Sequence, residues 1–125
     1  MSKNYYLQQA PFVVPTTDGK LIEEHVGRVA NGESNLSVAH MVIPPGWSEP
    51  HQNPEFDEYT LMVRGRKQIE INGETVTLKS GESLLVRKGV RVQYSNPFEE
   101  EAEYWSVCIP AFSPDSVNRE NDSST

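Results

Sequence analysis

A single cysteine in 125 residues, Cys108, excludes an internal disulfide and any paired-thiol chemistry, and it agrees with a reducing compartment. Helical patterning is just as scarce: no segment sustains apolar residues at a 3.6-residue spacing, so a helical bundle is not expected. Long apolar runs are missing too, since nothing approaches the ~18 consecutive residues of a membrane-crossing helix. The opening MSKNYYLQQAPFVVP has no continuous apolar stretch ending in small residues, which argues against a secretory leader and makes the cytoplasm the expected location. Positive charge is in deficit, with 11 Lys and Arg against 18 Asp and Glu. The net charge of -7 repels phosphate backbones and anionic lipid surfaces, so neither nucleic acid nor a membrane is an expected partner. What remains is an ordinary globular balance, 36% hydrophobic and 23% charged, in a chain that suits one domain over residues 1–125.

The features present are those of an all-β protein. Turn dipeptides recur at short intervals: Asp18-Gly19, Asn31-Gly32, Pro45-Gly46, Asn72-Gly73, Ser80-Gly81, Lys88-Gly89 and Asn96-Pro97. Between them lie short β-branched or alternating runs: LSVAHMVI, EYTLMV, KQIEI, ETVTL, SLLV, VRVQY and YWSVCIP. Asn72-Gly73 between KQIEI and ETVTL supplies the two positive-φ residues of a type I′ hairpin. The acidic EEEAE from Glu99 reads as a solvated connection, and the tail from Ala111 as anchored at its aromatic start and frayed at its polar end. About eight strands follow from this spacing. So many short antiparallel strands must close into a barrel or stack as a jelly roll to hide their edges.

The glycine spacing then narrows the choice. His51-x-Asn53-x4-Glu58-x6-Gly65, led by Gly46, resembles the first motif of the cupin superfamily, G-x5-H-x-H-x3,4-E-x6-G. Gly81-x5-Arg87-x-Gly89-x2-Val92-x3-Asn96 is similar to the second, G-x5-P-x-G-x2-H-x3-N. The resemblance spans about residues 36–109 and implies a cupin-type double-stranded β-helix, a jelly-roll barrel. Strands within residues 1–35 and a tail at 110–125 flank that core. In cupins with a complete site, two histidines and a glutamate of the first motif and a histidine of the second hold a divalent metal. Here His51 and Glu58 keep ligand positions, Asn53 replaces the second histidine and Val92 the third.

Three readings of HQNPEFDEY stay open. In one, a divalent metal is held by His51, Glu58 and Asn53, with Glu55 or water completing the sphere, although two strong protein donors seldom hold a transition metal tightly. In another, the pocket is metal-free and His51 with Glu58 act as catalytic acid and base or bond a polar ligand. In the third, the stretch is a solvated corner between strands. Strand alternation places Thr60, Met62 and Arg64 on the same side as Glu58, and Val90 and Tyr94 on the same side as Val92. Thr60, Met62 and Tyr94 are thus the expected pocket lining.

Other conspicuous residues read as structural. His40 is expected to be hydrogen-bonded within its strand, and Cys108 to pack as a small core residue. Trp47 and Trp105 offer flat surface for a ring or for the core. Arg64, Arg66, Lys67, Arg87, Lys88 and Arg91 cluster near turns and read as separately solvated. Two functions of different class follow. One is an isomerase, cyclase or lyase, metal-assisted or not, acting on a polar metabolite such as a sugar acid or keto acid. The other is a cupin that binds a small molecule without turnover. The resemblance also implies a homodimer, for which FVVP near residue 12 offers an edge.

Overall fold

Alternation of buried and exposed residues along each strand builds two sheets around one shared interior. The computed structural model describes residues 4–120. Its strands are β1 (Phe12–Val13), β2 (Leu21–Val26), β3 (Ser37–Ile43), β4 (Asp57–Arg64), β5 (Arg66–Ile71), β6 (Glu74–Lys79), β7 (Ser83–Val86), β8 (Val92–Ser95) and β9 (Ala102–Ile109). A 3-10 turn follows at Pro114–Ser116. One sheet has the order β1-β2-β3-β9-β4-β7 and the other β6-β5-β8, with antiparallel neighbours throughout. Among the described residues no helix is long and apolar enough to cross a membrane.

The core shows why the sheets close. Ile43, Met62, Ala102 and Tyr104 from the large sheet pack against Ile69, Leu78, Val92 and Tyr94 from the small one. Burying a side chain of this size is worth roughly 1.5–3 kcal/mol, so this layer supplies much of the driving force. The Asn72-Gly73 turn has both residues at positive φ (48° and 88°), as the type I′ hairpin requires. The free side of β8 is covered by the segment after β3. Gln52 and Val92 exchange backbone bonds of 2.9 Å, and Asn96 N–H donates to the Trp47 carbonyl at 2.7 Å. At Gly65 (φ 76°) an added Cβ would lie 2.3 Å from the Glu101 carbonyl oxygen, so this corner admits only glycine.

Three expectations need correction. Arg64 does not share the inner face with Glu58, because a bulge between Met62 and Arg64 shifts the register against β9. It is exposed and donates to Glu103 at 2.9 Å and Glu101 at 3.1 Å. The acidic run is only partly a connection, since β9 already starts at Ala102, where the Glu103 carboxylate is held by Arg64 and His40. Lys67 is not solvated but 2% exposed, on the inner face of β5 with Ile69. Strands do occur within residues 1–35 as expected, and the longer one is LIEEHV.

Asn96 fixes the corner where the covering segment meets β8. It is fully buried and donates from Nδ2 to the carbonyls of Pro44 (3.1 Å) and Glu100 (2.9 Å), while Oδ1 accepts from Phe98 N–H at 3.1 Å. Asn96→Ala removes these bonds, leaving Pro44 only the Trp47 N–H at 3.2 Å, and is expected to lower unfolding free energy by about 2–3 kcal/mol, measured by urea denaturation.

Candidate functional site

The large sheet carries small side chains where its strands face the interior. Ala39 of β3 lies opposite Ser106 of β9, and Ser37 opposite Cys108. Small residues at four adjoining inner positions leave space that the small sheet does not fill. The result is a cavity of about 110 Å³, with these four residues on one wall and Lys67 and Tyr94 on the other. Lys20, Glu49, Gln52 and Arg119 line it as well.

Glu58 of β4 reaches into this cavity and is fixed at both oxygens. Ser106 Oγ donates to Oε2 at 2.6 Å, and Tyr94 Oη donates to Oε1 at 3.3 Å. Burial, and then the neighbouring Glu58 carboxylate, push the Tyr94 phenol well above its ordinary range, so it remains a neutral donor. Cys108 is held as an inert thiol in the same way, raised first by burial and then by Glu58.

Opposite stands Lys67, with Nζ 3.7 Å from the centroid of the Tyr104 ring and 4.2 Å from that of Tyr94. Among the described residues it makes no hydrogen bond or ion pair. Desolvation dominates its titration and brings its pKa down to about 7, against an upward pull from the Glu58 carboxylate. Tyr104 also lines the cavity, and its buried hydroxyl has no hydrogen-bond partner among the described residues. Beyond these, Glu49 is buried and held by Lys20 (3.7 Å) and Arg119 (3.4 Å).

The residues expected at the site are therefore divided. Glu58 and Tyr94 line the cavity together, whereas Thr60 and Met62 face inward but lie outside its lining, Met62 within the apolar core. His51 does not meet Glu58. Its neighbour Gln52 pairs with Val92 and turns into the cavity, so alternation turns His51 the other way, to Glu70 at 3.1 Å. Asn53 is half-buried and donates from Nδ2 to the Gly89 carbonyl at 3.5 Å. Val92 is fully buried among apolar residues. His51, Asn53 and Glu58 thus have separate partners, and among the described residues no three His, Cys, Asp or Glu side chains are grouped to hold a metal. The donors at the family's ligand positions do not fit a divalent ion. His40 is outside the cavity as well, between Glu23 (2.9 Å) and Glu103 (2.7 Å).

Ser106, Glu49 and Lys67 were not anticipated as site residues. For Lys67 a signal existed in KQIEI, where the alternation that buries Ile69 must also bury residue 67.

Two measurements follow. Because the folded state disfavours charged Lys67, it binds fewer protons than the unfolded chain between about pH 7 and the ordinary lysine value of 10.5. Stability therefore rises with pH through that window, by about 1.4 kcal/mol per unit. Relative to Lys67→Met, the wild type is expected to gain about 2 kcal/mol between pH 7.5 and 9 in urea denaturation. Dialysis of untagged protein against a chelator is expected to leave its thermal midpoint unchanged, whereas a structural metal would show as a drop.

Comparison with known proteins agrees with this architecture. A Myxococcus xanthus protein named endoribonuclease YbeY is 44% identical over 108 residues, covering 86% of this chain and 37% of that protein. The tetracenomycin polyketide synthase protein TcmJ of Streptomyces glaucescens is 32% identical over 66 residues, 52% of this chain and 44% of that protein. The chain thus spans less than half the length of these curated relatives. A solved structure of Streptomyces PAC13 with uridine superimposes with a TM-score of 0.75 at 15% identity, covering 97% of this chain and 93% of that one. A family model described as the cupin domain matches residues 39–109, more than half of the sequence, and the chain belongs to the cupin family.

Proposed function

We propose that the cavity binds a small polar carbonyl compound, such as a keto acid or sugar acid, and moves a proton on it in an isomerase-, cyclase- or lyase-type reaction. The observation that carries this reading is the placement of Glu58 and Lys67 on opposite walls of one cavity, a carboxylate and an amine titrating near neutrality. Glu58 is the base for a C–H next to the carbonyl, held in place by Ser106 and Tyr94. Lys67, on the facing wall, stabilises the negative charge that develops on the substrate as the proton leaves. No step is routed through a metal, since His51, Asn53 and Glu58 do not converge.

Size supports a small reacting group. A cavity of about 110 Å³ is smaller than the roughly 150 Å³ that accepts benzene, so only the reacting end of a larger ligand enters. The relatives' names are compatible with small organic ligands, one being a polyketide synthase protein and another a structure with uridine. RNA cleavage is not extended from the Myxococcus relative, because this chain spans 37% of that protein and its net charge of -7 opposes RNA binding.

Glu58→Gln keeps the shape and removes the base. Against a panel of small keto and sugar acids in D₂O, the wild type is expected to exchange substrate C–H for deuterium, followed by NMR. The variant should lose about 100-fold or more in rate while binding within about tenfold. Binding with no exchange by the wild type would instead leave the alternative, a cupin that holds its ligand without turnover.

A further inference from the structure

We propose that Lys67 is the nucleophile of the cavity, adding through Nζ to the carbonyl carbon of a small aldehyde or ketone to form an imine. This rests on the proton-transfer reading and deepens it by naming the group that holds the substrate. A buried lysine is ordinarily paired, yet this one has neither hydrogen bond nor ion pair among the described residues. Two tyrosine rings enclose Nζ. Ring faces attract a cation without offering a carboxylate that would lock the amine in its charged form. The remaining approach to Lys67 is the cavity it lines. Its depressed pKa keeps a substantial neutral fraction at pH 7, in contrast to an exposed lysine.

The surrounding groups balance the reaction. The nitrogen lone pair forms the C–N bond while the carbonyl π pair moves to oxygen, and Glu58 carries the proton that nitrogen releases to that oxygen, giving a carbinolamine. A second proton, taken from water, passes through Glu58 to the hydroxyl, which departs as water while the nitrogen lone pair forms the C=N bond of a protonated imine. No oxidant or reductant is consumed. The Tyr104 ring lines the same cavity and lies 3.7 Å from Nζ, so it holds the amine beside the incoming carbonyl carbon. Once formed, the protonated imine draws electrons from the adjacent carbon, which lowers the barrier to the proton removal assigned to Glu58.

Trapping tests the assignment. Full-length protein is incubated with pyruvate or glyoxylate and sodium cyanoborohydride at pH 7, then mapped by peptide mass spectrometry. The expected adduct is on Lys67, in at least about tenfold excess over Lys20, Lys79 and Lys88, with a trapping rate that rises through a midpoint near pH 7. Lys67→Met and Lys67→Arg, checked for folding by circular dichroism, should both abolish it. Labelling spread over the exposed lysines with Lys67 unmodified overturns the proposal. Deuterium exchange without trapping removes the imine and leaves proton transfer standing, whereas trapping without exchange does the reverse.

Discussion

Holding the Lys67 amine away from water is the constraint around which the interior is arranged. An unpaired ammonium in an apolar sandwich is costly, and the charge is tolerated only through partial compensation. Two aromatic faces lie against it, and the Glu58 and Glu49 carboxylates pull its titration upward from a distance. The cavity lining as a whole balances Lys20, Lys67 and Arg119 against Glu24, Glu49 and Glu58. Each of these carboxylates in turn has its own partner: Glu24 accepts two loop N–H groups at 3.0 Å, Glu49 meets two cations, and Glu58 takes two hydroxyls. A polar interior on this scale forms only where the large sheet carries Ser, Ala and Cys in place of bulky residues.

The cupin frame and the cupin chemistry are separable in this chain. Gly46, Gly65, Gly81 and Gly89 all adopt positive φ, and Asn96 holds its corner, so the residues that shape the barrel are retained. The positions that bind metal elsewhere in the family have been given other tasks. Val92 packs, His51 bridges to Glu70, and Asn53 bonds the Gly89 carbonyl. Only Glu58 still addresses the cavity, where it accepts from Ser106 and Tyr94 and faces Lys67 from a distance.

Much of the fold was legible because its signals are local. The turn glycines, the Asn72-Gly73 hairpin and the run SLLV correspond closely to the strands observed. Strands were expected within residues 1–35, but the bounds of β2 were not legible for a physical reason: Glu24 points inward to hold the Val29 and Ala30 N–H groups, so the strand lacks the apolar alternation that marks the others. The site was half legible. Alternation placed Glu58 and Tyr94 correctly because both lie on regular strands. His51 lies on a segment that pairs with β8 only through isolated bridges, and its facing depends on a tertiary partner that no local pattern reveals. Lys67 was legible from its own strand, but a charged residue beside a turn is ordinarily solvated, and that general expectation outweighed the alternation.

The cavity wall has two kinds of contributor. Lys20, Glu49, Gln52 and Arg119 belong to none of the nine strands; they come from the approach to β2, the segment after β3 and the C-terminal stretch. Glu58, Lys67, Tyr94 and Ser106 all stand on strands. Divergence among such proteins is therefore free to reshape the part of the wall that connecting segments supply, through insertions and exchanges there, while the strand-borne groups keep a fixed geometry. A barrel divided in this way can acquire new substrates without having to refold its core.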